Sequence, residues 1–176
     1  MIRSIIAIDP GTGGGMAFWY WDGRVNHAKM PETQESILSH IQSFATYARG
    51  HGSDPIAVIE KPPMFCGKDT PSSRIAVLFD NFGFIKGVLM ALQIPTDEVG
   101  PKEWQASYAE RPRTMKYSQW KSLLCSIAKE KFPNEKVTLK TSDAMLMLHW
   151  KLRLRGIKNP GGVPVGGVQP ELAEFY

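Results

Sequence analysis

Two short apolar runs in this chain each stop at a carboxylate. Ser4 to Ile8 runs straight into Asp9-Pro10-Gly11, and Pro55 to Glu60 (PIAVIE) ends on its own acid before Lys61-Pro62-Pro63. Continuous apolar runs of this length, bounded by turn residues, predict strands buried on both faces. A sheet buried on both faces needs helices on both sides, and that requirement constrains the fold more than any other feature. The two acids add a second constraint, because a carboxylate at the end of a buried strand is costly without a partner.

The rest of the chain supplies the elements such a sheet needs. Met16 to Trp21 reads as a second strand, Asp22-Gly23 as hairpin turn chemistry, and Val25 to Met30 as the returning strand. From Pro31 to Gly50 apolar residues fall at Ile37, Leu38, Ile41, Phe44, Ala45 and Ala48, the spacing of an amphipathic helix. After Glu60 and the loop KPPMFCGKDTP, a helix is predicted from Ser72 to Gln93, with a stripe of Ile75, Leu78, Phe79, Phe82, Ile85, Leu89 and Leu92. Thr96 to Val99 reads as a short strand, Pro101-Lys102 as the start of a helical turn, and Arg111-Pro112-Arg113 as a basic loop. Helices follow over Lys116 to Phe132 and from Thr141 to about Arg155, with Gly156 as the stop. Residues 159–176 are too rich in Gly and Pro for a packed element, so one domain over 1–158 and a C-terminal tail are expected. Three strands in a meander, then strands joined through helices, make a mixed α/β fold: five strands in one sheet, flanked by helices.

A third acid, Asp143, opens the last helix. Each acid has an ordinary explanation: Asp9 starts a turn, Glu60 is an exposed strand end, Asp143 complements a helix dipole. Placed on elements expected to be adjacent, the three repel one another unless a cation sits among them. Mg²⁺ or Mn²⁺, hard and oxygen-seeking, would relieve that repulsion, and a pair of such ions suits phosphodiester cleavage.

The segments that carry these acids, IIAIDPGTGGGMAFW, IAVIEKPPMF and SDAMLML, resemble in order and spacing the corresponding segments of RuvC-type Holliday junction resolvases. The resemblance spans roughly residues 3 to 155. It implies a ribonuclease H-like fold and a homodimer with one site per subunit. It also implies a structure-selective endonuclease that nicks opposed strands of a four-way junction, with Asp9, Glu60 and Asp143 holding two Mg²⁺ or Mn²⁺ ions. The family commonly places a fourth metal-site residue, an acid or His, three positions before the last Asp; here that position is Lys140. A cation cannot ligate a metal. Lys140 is therefore either a catalytic contact to the scissile phosphate or, if the helix starts at Ser142, a solvated side chain. The family also uses an aromatic in the loop after the second acid, which implies that Phe65 wedges or stacks against bases at the branch.

Other candidates come from charge. A net charge of +4 and a pI near 9.1 suit a polyanionic partner without demanding one. Lys61, Lys68 and Arg74 flank the Phe65 loop, and Arg111, Arg113, Lys116 and Lys121 run through the next loop and helix, where phosphate contact would explain their clustering. Lys151, Arg153, Arg155 and Lys158 need only the dipole of the last helix as their reason, and His149 is expected to be structural. Phe79, Phe82 and Phe84 give their helix more aromatic surface than one stripe requires, part of which would suit a dimer interface. Cys66 and Cys125 form neither a metal-ligand pair nor a disulfide framework. The apolar stretches are too short to span a bilayer and the N-terminal one too short for a signal peptide, so a cytoplasmic protein, nucleoid-associated or in the cytoplasm of a phage-infected host, is expected.

Three alternatives compete. GTGGG after Asp9 would suit a phosphate cradle of the sugar kinase and actin type, but such proteins close two lobes on ATP and carry a second Gly-rich motif that this sequence lacks. Lys140 would suit a non-catalytic module that binds branched DNA. Within nucleases, a general branch or flap endonuclease, for instance one serving phage DNA packaging, shares every feature named here.

Overall fold

In the computed structural model, residues 3–63 and 71–157 are described. The element order is β1 (Ile5–Asp9), β2 (Gly15–Trp19), β3 (Val25–Lys29), α1 (Gln34–Gly50), β4 (Ile56–Glu60), α2 (Ser72–Ala91), β5 (Thr96–Val99), α3 (Pro101–Gln105), α4 (Tyr117–Lys131) and α5 (Ser142–Leu154). The five strands form one sheet in the order β3-β2-β1-β4-β5. The β1–β2 and β2–β3 pairs are antiparallel, while β1–β4 and β4–β5 are parallel. This is the mixed, helix-flanked sheet that the sequence predicts.

Alternation along the central strands builds two cores. Ile6 and Ile8 of β1, Met16 and Phe18 of β2, and Ala57 and Ile59 of β4 pack with α1 and the C-terminal half of α2. Ile5 and Ala7, Ala17 and Trp19, and Ile56 and Val58 pack on the opposite face with Trp104 of α3, α4 and α5. Burial on both faces explains why β1 and β4 read as unbroken apolar runs. The first eight residues of α5, Ser142 to His149, are all buried, so this helix is the inner layer on its side of the sheet.

Element boundaries shift where local hydrogen bonds compete. Strand β2 stops at Trp19, two residues early, because the Tyr20 N–H donates to the Arg24 carbonyl and the Gly23 N–H to the Tyr20 carbonyl. Helix α1 starts at Gln34 because the Thr33 hydroxyl caps it, accepting from the Ser36 N–H at 3.2 Å. The largest departure is in α2. Of its predicted stripe only Ile85 and Leu89 are buried, while Phe79 in the first half is 47% exposed and its neighbour Val77, outside the stripe, 42%. A continuous stripe in the sequence does not reveal where the partner surface ends.

Candidate metal centre and nucleic-acid cleft

The same alternation aims the two strand-end acids. Asp9 follows Ile5 and Ala7 in parity, and Glu60 follows Ile56 and Val58, so both carboxylates belong to the face covered by α5. The parallel register pairs Ile8 with Ile59, which sets Asp9 and Glu60 side by side at the C-terminal ends of adjacent strands. Asp143 enters the same place from the first turn of α5. All three border one open cleft of about 1030 Å³.

The glycines after Asp9 make room for this arrangement. The Gly11 N–H donates to Asp9 Oδ1 at 3.1 Å, and the Gly14 N–H closes the turn on the Gly11 carbonyl at 2.8 Å. A Cβ on Gly14 would fall 2.4 Å from the Asp9 carboxyl carbon, and one on Gly15 would fall 2.5 Å from the Ala28 carbonyl oxygen. No side chain fits at either position. The run GTGGG thus packs the backbone around a carboxylate, a use that needs no bound phosphate.

Each acid has a defined partner. Glu60 Oε2 accepts the indole N–H of Trp104 at 2.8 Å. Asp143 Oδ2 is held by Lys121 Nζ at 2.5 Å, and Asp143 Oδ1 accepts from the Ser142 hydroxyl at 3.3 Å. Among the described residues, no hydrogen bond reaches Asp9 Oδ2 or Glu60 Oε1. Burial, with the charges of Asp9 and Asp143 behind it, pushes Glu60 up to about 8, against the weaker pull of Trp104 and Lys121. Burial and Asp143 likewise push Asp9 up to about 6, opposed by Lys121 and the Gly11 N–H. Burial alone would lower the pKa of Lys121, but Asp143 and Asp9 outweigh it and raise the ammonium above its ordinary value.

These residues suit a hard divalent cation in kind, since the donors are carboxylates and their unrelieved repulsion is what a cation would remove. Among the described residues, no three His, Cys, Asp or Glu side chains are gathered closely enough to form a ready-made ligand cluster. The oxygens open to an ion are those of Asp9 and Glu60, because Lys121 already sits on Asp143.

The remaining sequence candidates divide. Lys61, Arg111 and Arg113 border the cleft beside the acids. Arg74, in the first turn of α2, and Lys116, capping α4, are exposed but are not among the residues that border it. Phe65 and Lys68 lie outside the described residues. Lys121, expected at a phosphate, is instead paired with Asp143. Lys140 is exposed in the turn before α5, which begins at Ser142, and does not border the cleft; its backbone carbonyl abuts Gly15. The cation beside the last acid therefore arrives from α4, not from three residues upstream. His149 is buried, with Nδ1 2.8 Å from the Tyr108 hydroxyl, and burial lowers its pKa to about 4.

Sequence reasoning missed Trp104, Lys102 and Tyr117. Trp104 reads as core, and nothing local says that its N–H faces an acid. Lys102 and Tyr117 border the cleft, and Tyr117 lies under the Arg111 guanidinium, 5.6 Å from ring centroid to Cζ. Their exposed positions beside Pro101 and at the start of α4 look in sequence like ordinary surface.

No protein-family model matches the chain, and no curated protein matches its sequence. Solved structures do match. A Thermus thermophilus RuvC structure in complex with a Holliday junction substrate superposes with a TM-score of 0.52 at 10% identity, covering 86% of this chain and 96% of that one. A second Thermus thermophilus RuvC structure gives 0.51 at 10% identity, covering 87% and 97%. With its mixed five-stranded sheet flanked by helices, this chain has the ribonuclease H-like fold of these RuvC structures.

Proposed function

We propose that this protein is a metal-dependent, structure-selective DNA endonuclease that resolves four-way junctions by paired nicks on opposed strands. The observation that carries the reading is the convergence of Asp9, Glu60 and Asp143 on one cleft bordered by Lys61, Lys102, Arg111 and Arg113. One buried and two half-buried acids that repel one another inside a basic rim suit a site for a cation and a phosphodiester together. The likeness to a resolvase bound to a Holliday junction adds the class of substrate.

Asp9 and Glu60 would hold Mg²⁺ or Mn²⁺ through the oxygens that carry no hydrogen bond, and Asp143 would join a second ion only if Lys121 gave it up. Bound there, the metal supplies an activated water and neutralises charge on the phosphate oxygens. The Gly11 N–H and the Trp104 indole keep the two carboxylates from turning away. Arg111 and Arg113 would seat the backbone on either side of the scissile bond, and the Arg111–Tyr117 stack gives the cleft mouth an aromatic face for an unpaired base. Phe65 and Lys68 are proposed as further DNA contacts, Arg74 and Lys116 would reach flanking phosphates, and Lys140 is left a solvated side chain. Symmetric incision needs two sites, and a homodimer formed through the exposed apolar half of α2, with Phe79 at its centre, would supply them.

Cleavage of end-labelled four-way junctions, flaps and linear duplexes tests the proposal. Nicks at symmetric positions in the junction, with duplex left intact, support a resolvase. Equal cutting of flaps would widen the activity to a branch endonuclease, and junction binding without any cutting would contradict the enzymatic reading.

A further inference from the structure

We infer that Lys121 is the second cation of this site, so that the DNA-free protein takes one divalent ion, at Asp9 and Glu60, and none at Asp143. The inference rests on the nuclease reading and specifies how that site is loaded. Lys121 Nζ lies 2.5 Å from Asp143 Oδ2, in a side chain that is 23% exposed against 6% for its partner. The pair is therefore largely out of water, where an ammonium–carboxylate contact is hard to displace because either partner left alone would be a buried charge. Asp143 has its other oxygen against the Ser142 hydroxyl.

The balance of charge points the same way. With the acids ionised around a bound ion, three carboxylates and one ammonium leave two negative charges, which is what a single divalent ion neutralises. A second ion would turn the centre positive while Lys61, Lys102, Arg111 and Arg113 already surround it. An ion on Asp143 would also stand within a few ångströms of Nζ, and like charges that close in a part-buried site exclude each other. Lys121 comes from α4, twenty-two residues from its partner, so its placement is a property of the fold rather than of a local turn.

Counting Mn²⁺ bound per chain, by electron paramagnetic resonance of the free ion in equilibrium with DNA-free protein, tests this. Wild type is expected to bind one Mn²⁺, Lys121→Arg one, Lys121→Met two, and Lys121→Met with Asp143→Asn one again. Should Lys121→Met not fold, Lys121→Gln takes its place and the wild-type count still decides. Two ions on the wild type, or a single ion on folded Lys121→Met or Lys121→Gln, would overturn the inference. If the wild type binds two ions and nicks junctions in Mn²⁺, the inference fails and the nuclease reading stands. If it binds none and cuts nothing, both fail.

Discussion

The indole N–H of Trp104 donates to Glu60 Oε2 at 2.8 Å from a side chain with no solvent exposure. A buried ring in the core beneath the sheet thus sets the orientation of one acid at the cleft. Glu60 keeps one oxygen on the indole and has no hydrogen bond on the other among the described residues, the arrangement expected of a supporting hydrogen bond if Glu60 holds the proposed metal.

Trp104→Phe keeps most of the packing and removes only this donor. The expected cost is about 1–3 kcal/mol in stability, from the unpaired carboxylate oxygen and the lost ring volume. Mn²⁺ affinity should fall by roughly tenfold or more. Thermal unfolding and metal titration separate the two effects, and unchanged metal affinity in a destabilised variant would reduce Trp104 to a packing residue.

Gly14→Ala is expected to disable the site from the backbone side. The added methyl would lie 2.4 Å from both the Asp9 carboxyl carbon and the Asp9 carbonyl oxygen, so either the turn or the acid must move. A loss of about 1–3 kcal/mol in stability and of nearly all nicking is expected. Gly13→Ala, which meets nothing within 4 Å, is the control and should behave as wild type.

Without metal, stability should fall as pH rises through the neutral range. Glu60 has a folded pKa of about 8 against an ordinary 4.5, so between those values the folded protein holds a proton that the unfolded chain has released. That contribution is complete below about pH 4.5 and is lost as pH climbs to 8. Asp9 acts in the same direction up to about pH 6. His149 acts oppositely, from its unfolded value of 6.5 down to about 4, so the clean interval is pH 6.5 to 8. Across it, metal-free wild type should lose about 1–2 kcal/mol, or several degrees in Tm, while Glu60→Gln stays nearly flat. Melting curves at a series of pH values in EDTA give the comparison, and parallel profiles for the two proteins would contradict the account.

Much of this was legible in the sequence, for identifiable reasons. The runs ending at Asp9 and Glu60 announce strands buried on both faces, and the alternation within them already sends both acids to one side. What stayed hidden depends on distance through space. Lys121 looks like any exposed helical lysine until α4 is laid against α5, and Trp104 looks like core because it is core. Lys140 drew attention by its separation of three from Asp143, but that spacing matters only inside a helix, and α5 begins after it. The first half of the α2 stripe reads the same whether a neighbour covers it or not.

The most direct test of the central claim is nicking of a four-way junction in Mg²⁺ and in Mn²⁺ by wild type, Asp9→Asn, Glu60→Gln and Asp143→Asn, with junction binding measured alongside in EDTA. The account predicts metal-dependent, paired nicks by wild type alone, with all three variants still binding the junction. Nicking that survives in EDTA or in Asp9→Asn would contradict it.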